Sequence, residues 1–464
     1  MITNINEIET SAFINAVRSE FETSRMRAHV ITLGCQQNEA DSEKIRGMAL
    51  KMGYSLTDNC EEADLIIVNT CAIREHAELK AFSLIGKFKP IKNERPDLVV
   101  GVMGCMAAEP HVVEKLKKSF RHVSFTIEPN KIHMLPELVY KSLAEDKRTF
   151  IFGSDDGGIV EGIEPVRRIK HKAWVSIMYG CNNFCSYCIV PYVRGRERSR
   201  DSRDIIRECR ELIDSGCKEI TLLGQNVNSY KSDVDFAALI EEIADIPGDF
   251  IVRFMTSHPK DVSDALIDVM GRKSEKIAPY FHLPMQSGSD AILKAMNRTY
   301  NTEKYLSTVK KLRRAVPDIA LSTDIIIGFP GESDEDFEGT MRMMDEVGFD
   351  MVYSFIYSKR EGTRAATMPN QVDPEVTKER MARLLEAQRK VSYEKNLPYL
   401  DKTLRILVDS ESSKGEADTY VGRTMTNKLV RFESKKNRVG EFISVKITRI
   451  GEFDLFGEEI SEEN

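Results

Sequence analysis

Three short apolar runs in this chain, Ala28–Gly34, Ala63–Thr70 and Leu98–Gly104, each stop at a cysteine: Cys35, Cys71 and Cys105. The runs are rich in β-branched residues and flanked by polar sequence, as buried parallel strands are. A helix-like segment follows each one, over Asp41–Lys51, Glu75–Lys89 and Val112–Phe120. Strand alternating with helix predicts a doubly wound α/β domain over residues 26–145. In such a sheet, ligands bind in the crevice at the carboxyl ends of the strands. Cysteines at three equivalent strand ends converge there, although they are far apart in sequence. One reading is three small core hydrophobes, a frequent role of free cysteine. The placement favours the other reading, a metal centre with three thiolate ligands. Cys60, Cys209 and Cys217 lie in a turn or in and after a helix, and read as non-ligands.

Cys181, Cys185 and Cys188 form a second set, in one loop just after the strand-like run Ala173–Tyr179. Their spacing lets one loop wrap three thiolates around a single centre. A cubane iron–sulfur cluster has four irons, so three cysteines leave one iron open for a small molecule. A structural zinc would need a fourth ligand close by, and the nearest histidine, His171, lies upstream across the strand. A disulfide would leave one cysteine odd. The cluster is the better reading.

The nine cysteines accompany no export signal: the first residues lack a basic segment followed by a long apolar run. No apolar stretch approaches the ~20 residues that cross a bilayer. The expectation is a cytoplasmic chain with reduced thiols and no membrane span, in which metal binding outranks a disulfide framework.

A chain of 464 residues has room for two to four domains. Residues 1–25 read as a helical extension (Ile8–Glu22), and residues 146–171, with Gly153–Gly158, as a linker. From 172 to 397 the strand–helix alternation resumes. Strands are expected at Trp174–Tyr179, Glu219–Gly224, Phe250–Thr256, Tyr280–Pro284, Ile319–Ile327 and Met351–Tyr357. Six units are too few for a closed eight-fold barrel, so an open, partial (β/α)6 barrel is predicted. Its mouth at the strand C-termini would carry the cysteine loop. A charged helix, Pro374–Lys395, leads to residues 398–464, where short alternating strands predict a small β-barrel.

The Cys181, Cys185, Cys188 spacing, with Tyr187 before the last cysteine, resembles the radical S-adenosylmethionine (SAM) superfamily. Adding Cys35, Cys71 and Cys105 on a preceding α/β domain narrows the resemblance to the methylthiotransferases. The last module is similar to the TRAM domain, a small RNA-binding barrel. Seven segments resemble one branch of that family: Gly34–Asn38, Asn69–Glu75, Leu223–Asn228, Thr256–Pro259, Leu283–Asp290, Thr323–Glu332 and Tyr353–Ser358. The likeness covers residues 28 to 460, with one departure: Glu361 stands before Gly362-Thr363 where the family usually has proline.

The resemblance implies methylthiolation of C2 of N6-dimethylallyladenosine at position 37 of tRNA, next to the anticodon. Adenine C2–H is not acidic enough for a side-chain base, so a radical supplied by a cofactor has to remove the hydrogen. All six cysteines are then catalytic metal ligands, in two 4Fe–4S clusters. The cluster on Cys181, Cys185 and Cys188 chelates SAM and cleaves it to a 5′-deoxyadenosyl radical, and the auxiliary one presents the sulfur. A second SAM donates the methyl group. Gln225, Asn226, Gln286, Ser287 and Asp324, with Tyr187 against the adenine, are the candidates for orienting SAM. For each, the alternative is an internal hydrogen bond at a strand end. His258 reads equally as a pocket residue or as part of a turn.

The net charge is −7, yet basic residues gather locally. Arg423, Lys428, Arg431, Lys435 and Lys436 lie in the last module, and Arg194, Arg196 and Arg198 follow the cysteine loop. Such patches supply salt-sensitive phosphate contacts, and a splayed loop base would be the target. An electron donor such as flavodoxin or ferredoxin and iron–sulfur assembly or sulfur-supplying proteins are the further expected partners of a monomer. Two rivals remain open. One is a methylthiotransferase for threonylcarbamoyl-adenosine in tRNA or for a ribosomal protein aspartate. The other is a zinc-containing RNA-binding protein without catalysis.

Overall fold

The computed structural model describes residues 5–72, 75–153, 162–411 and 418–460. Residues 154–161 of the expected linker and 73–74 of the segment Asn69–Glu75 lie outside these. The chain divides into two compact units. One takes in Met1–Arg168, Met178–Phe184 and Cys188–Arg198, the other Ile169–Ile177, Cys185–Tyr187 and Ser199–Asn464.

In the first unit the strands are β1 (Arg27–Leu33), β2 (Ser55–Leu56), β3 (Leu65–Thr70), β4 (Val99–Gly104), β5 (Phe125–Ile127) and β6 (Thr149–Phe150). They form one parallel sheet in the order β2-β1-β3-β4-β5-β6. β1, β3 and β4 are the three cysteine-terminated runs of the sequence. β3 and β4 are buried throughout. Their alternate residues feed two cores, Leu65, Ile67, Val99 and Met103 on one face and Ile66, Val68, Val100 and Val102 on the other. Burial on both faces explains why these runs are continuously apolar. β6 lies inside the stretch expected as linker; a two-residue strand is too short to leave a pattern. The N-terminal helix, Ile5–Glu20, adds Val17 to the core, and Phe13 and Phe21 pack on Tyr140 with ring centroids 5.7 and 5.8 Å apart.

β7 (Lys172–Ser176), in the second unit, precedes the cysteine loop in sequence; the two-residue strands β8 (Met178–Tyr179), in the first unit, and β9 (Arg198–Ser199) stand on either side of that loop along the chain. β10 (Glu219–Leu223), β11 (Ile251–Phe254), β12 (Tyr280–His282), β13 (Ala320–Ile327) and β14 (Met351–Ile356) follow. β7, β10 and β11 make one parallel three-stranded sheet, and β12, β13 and β14 another. A parallel bridge between Val252 and Ile277 and the edge-on packing of Phe254 on Phe281, at 5.1 Å, join them. This is the partial barrel expected from six strand–helix units. The intervening helices start at side-chain caps, Asp201, Asp235, Ser263, Asn301 and Ser333, that accept the free N–H groups of a first turn.

After the helix Pro374–Asn396, five strands close a barrel in the order β15-β16-β17-β19-β18. They are β15 (Thr403–Glu411), β16 (Thr419–Thr424), β17 (Leu429–Glu433), β18 (Phe442–Ile450) and β19 (Asp454–Glu459). Four were legible as strands. The acidic β19 was not, because Gly457 interrupts the β pattern. The fold needs that glycine: a Cβ there would stand 2.4 Å from the Lys446 carbonyl oxygen.

Candidate active site

Cys35, Cys71 and Cys105 stand beyond the C-terminal ends of adjacent strands β1, β3 and β4. A buried amide network ties these ends together. Cys35 caps the helix Gln36–Lys51, and Asn38 of the first turn accepts from its backbone N–H at 3.4 Å and from its thiol at 3.2 Å. That cap starts the helix five residues before the stretch read from the pattern. Asn38 Nδ2 donates to Asn69 Oδ1 (3.0 Å) and to the carbonyl of Thr70, the neighbour of Cys71 (3.1 Å). Asn69 Nδ2 donates to the Asn38 carbonyl at 2.7 Å and to Ser42 at 2.9 Å. Gly104, at φ 96°, brings the last strand end against the same groups; a Cβ there would meet the Thr70 carbonyl at 2.3 Å. None of these amides was singled out from the sequence, since a buried Asn leaves no periodic trace.

Burial, helped by neighbouring Cys71 and Cys35, pushes the Cys105 thiol up to about 12 against the pull of Arg194. Arg194 Nε donates to Cys105 Sγ at 3.2 Å, and its Nη2 to Asp41 at 2.9 Å. Burial opposes the charge of Arg194, but Cys105 and Asp41 outweigh it and hold the guanidinium well above its ordinary range. The basic-stretch reading put Arg194 on a phosphate-binding surface. It is 5% exposed and occupied by a thiol and a carboxylate, so it has no face for RNA.

The loop of Cys181, Cys185 and Cys188 is held by backbone constraints. Gly180 takes φ 73°, and a Cβ there would fall 2.0 Å from the Arg196 carbonyl oxygen. Phe184 also lies in the left-handed region, at φ 46°, with its ring edge-on to Tyr192 (5.9 Å) and under the Arg196 guanidinium (4.5 Å). Cys181 N–H donates to the Gly195 carbonyl at 3.2 Å. Farther along, Ser186 binds the Ala295 and Met296 carbonyls at 2.8 and 3.0 Å. Arg298, missed in the sequence, donates to Cys185 Sγ at 3.4 Å and to the Pro284 carbonyl at 2.9 Å. Among the described residues no three His, Cys, Asp or Glu side chains converge on a single ion. The cysteines of a cubane each bind a different iron, and so stand farther apart than the ligands of one ion.

Three of the residues expected to orient SAM keep a buried acceptor oxygen with no protein partner: Gln225 Oε1, Asn226 Oδ1 and Gln286 Oε1. Ser257 Oγ, not foreseen, is a fourth. All follow the C-terminal ends of β10, β11 and β12, where a barrel of this type binds ligands. Strain marks the same places: Thr256 and Gln286 take φ of 68° and 70°, which a side chain tolerates only when its surroundings impose it. Buried orphan acceptors need donors, and the amino and hydroxyl groups of SAM would supply them. The other three candidates are engaged within the protein. Ser287 accepts from Ser289 N–H at 3.2 Å, Asp324 lies 3.5 Å from His282, and Tyr187 packs against the cluster of Ile292, Met296, Phe329 and Ala365. His258 accepts from Lys260 N–H at 3.2 Å.

Of the other basic candidates, Lys428 is buried on Asp350 at 2.8 Å, a correction to its reading as a phosphate contact. Arg423 and Arg431 are half-buried on Asp409 (3.4 Å) and Asp454 (2.7 Å). Arg198 is half-buried and reaches the Arg194 carbonyl at 3.4 Å. Arg196, Lys435 and Lys436 are exposed. The two lysines line a cavity of about 1400 Å³ on the C-terminal barrel that also contains Phe432, Phe442 and Phe456. No helix among the described residues is long and apolar enough to cross a membrane.

Three family profiles match: Radical SAM superfamily over residues 175–344, Uncharacterized protein family UPF0004 over 27–128 and TRAM domain over 399–460. Among solved structures, a radical S-adenosylmethionine methyltransferase, TsrM, from Kitasatospora setae shares the fold at a TM-score of 0.55 and 13% identity, over 73% of this chain and 75% of that one. Curated relatives are far nearer. The tRNA-2-methylthio-N6-dimethylallyladenosine synthase of Acetivibrio thermocellus is 48% identical over 95% of this chain and 92% of its own length. That of Caldicellulosiruptor saccharolyticus is 49% identical over 93% and 92%, and that of Clostridioides difficile 47% over 92% and 90%. With all three domains matched and near-half identity along almost its full length, the chain belongs to the tRNA-2-methylthio-N6-dimethylallyladenosine synthase family of radical SAM methylthiotransferases.

Proposed function

We propose that this enzyme methylthiolates C2 of N6-dimethylallyladenosine at position 37 of tRNA. The observation that carries the reading is a buried guanidinium on a sulfur of each cysteine set, Arg194 on Cys105 and Arg298 on Cys185. A buried cation needs a counter-charge; a neutral thiol gives it none, whereas a thiolate-ligated cluster, which is anionic, does. When bound, two 4Fe–4S clusters and two SAM molecules supply the electron, the radical, the sulfur and the methyl group.

The protein's part is to hold and orient. Cys181, Cys185 and Cys188 hold the SAM-binding cluster, and Cys35, Cys71 and Cys105 the auxiliary one. Gln225, Asn226, Ser257 and Gln286 accept hydrogen bonds from SAM. Arg196, Lys435 and Lys436 contact tRNA phosphates. A low-potential reductant such as flavodoxin or ferredoxin and a sulfur-supplying or cluster-assembly protein complete the set, acting on a cytoplasmic monomer.

Mass spectrometry of tRNA nucleosides from cells with and without the protein tests the reading. The expected result is conversion of N6-dimethylallyladenosine to its 2-methylthio form only when the protein is present. Unchanged N6-dimethylallyladenosine, or methylthiolated threonylcarbamoyl-adenosine instead, would overturn it.

A further inference from the structure

Both guanidiniums touch a cysteine sulfur, but their other partners differ in charge. Arg298 is anchored by neutral groups, the Pro284 carbonyl at 2.9 Å and the Tyr300 hydroxyl at 3.0 Å. Arg194 is anchored by the buried carboxylate of Asp41 at 2.9 Å. Its position also depends on the cysteine loop. The short helix Val190–Val193 starts two residues after Cys188 and ends at Arg194, and its flanking and last residues, Ile189 and Val193, pack on Cys105 and Ala72.

We infer that Arg194 and Asp41 form a charge-balancing pair that sets the reduction potential of the strand-end cluster through Cys105, with Arg194 its positioning residue. The inference rests on the two-cluster reading. A hydrogen bond or positive charge at a ligand sulfur stabilises the reduced, more negative cluster and raises its potential; a nearby carboxylate does the reverse. The arginine and the aspartate therefore pull in opposite directions. A pair kept only for packing has no reason to show opposite signs.

The test uses the full chain with Cys181, Cys185 and Cys188 all changed to Ala, so that the strand-end cluster is observed alone. The cluster is reconstituted anaerobically, its iron is counted, and its potential is followed by EPR-monitored redox titration. Asp41→Asn, which keeps the shape and an acceptor for Arg194, should shift the potential upward. Arg194→Met should shift it downward, and the Arg194→Met/Asp41→Asn double variant should lie between the two. Because Arg194→Met leaves a carboxylate buried and unpaired, the isosteric Asp41→Asn and the double variant decide the matter if that protein does not fold. Full iron content with no shift, or with both single variants shifting the same way, would overturn the inference. Failure of the parent to bind any cluster, or its binding of zinc instead, would overturn the two-cluster reading itself.

Discussion

The two cysteine sets reach comparable chemistry by opposite structural routes. Cys181, Cys185 and Cys188 are neighbours in sequence, and left-handed backbone at Gly180 and Phe184 shapes their loop. Cys35, Cys71 and Cys105 are neighbours only because β1, β3 and β4 lie side by side, with Asn38 and Asn69 locking the strand ends together. A local set is specified by spacing and a few special torsions. A distributed set is specified by the whole sheet and by polar groups that must stay mutually satisfied.

The sharpest way to break this comparison is to remove one ligand from each set. Cys185→Ala should abolish 5′-deoxyadenosine formation, measured by chromatography of the reaction products. Cys71→Ala should keep SAM cleavage, at least in part, while methylthiolated tRNA disappears. Intact methylthiolation in Cys71→Ala would remove the second set from the mechanism.

A smaller effect tests the amide lock. Asn38→Ala leaves Asn69 Oδ1 and the Thr70 carbonyl without their donor, which costs about 1–3 kcal/mol for a buried group. Urea unfolding should register that loss. Reconstituted iron should fall toward about four per chain, one cubane, as the strand-end cluster alone is lost. Equal loss from both sets would show that the network is not specific to one of them.

Smaller again is the exchange of strain for binding at the barrel mouth. Gln286→Gly releases a side chain from φ 70° and removes an acceptor with no protein partner. The variant should be as stable as the parent or more stable, by up to about 1 kcal/mol in thermal unfolding. Its SAM affinity should drop roughly 10-fold by equilibrium dialysis, the worth of one hydrogen bond. Unchanged affinity would remove Gln286 from the SAM site.

The mildest effect concerns acid. Burial first, then Arg298 and Lys260, lower the His258 imidazole to about 2. An unfolded histidine takes up a proton near pH 6.5 that the folded one refuses, so the folded state loses stability as pH falls from about 6.5 toward 2. In His258→Asn, urea midpoints between pH 7 and pH 5 should fall less steeply than in the parent. Parallel slopes would show that His258 is not held neutral.

Much of this was readable beforehand, for identifiable reasons. The six barrel strands and the three cysteine-ended strands leave apolar runs in the sequence, even at β14, where Tyr353, Phe355 and Ile356 are exposed. β2, β5, β6, β9 and β19 were not readable, being too short or interrupted by a glycine that a close backbone approach demands. Sequence reading assigned Arg194 and Lys428 to RNA because a charge has no visible partner in a linear chain. In the folded protein, Asp41 and Asp350 are those partners. Arg298 and Ser257 were missed for the same reason, since each acquires meaning only from what surrounds it.

By itself the sequence determined the two cysteine sets and the three-domain order, because spacing and strand periodicity are local properties, and its motifs resemble a family whose chemistry they imply. Only the tertiary structure decided which cations serve sulfur rather than phosphate, and which polar atoms at the barrel mouth are left open for a ligand. Those are questions of pairing in a low-dielectric interior. There, a charge or an amide is defined by neighbours that the chain brings from 31 to 153 residues away.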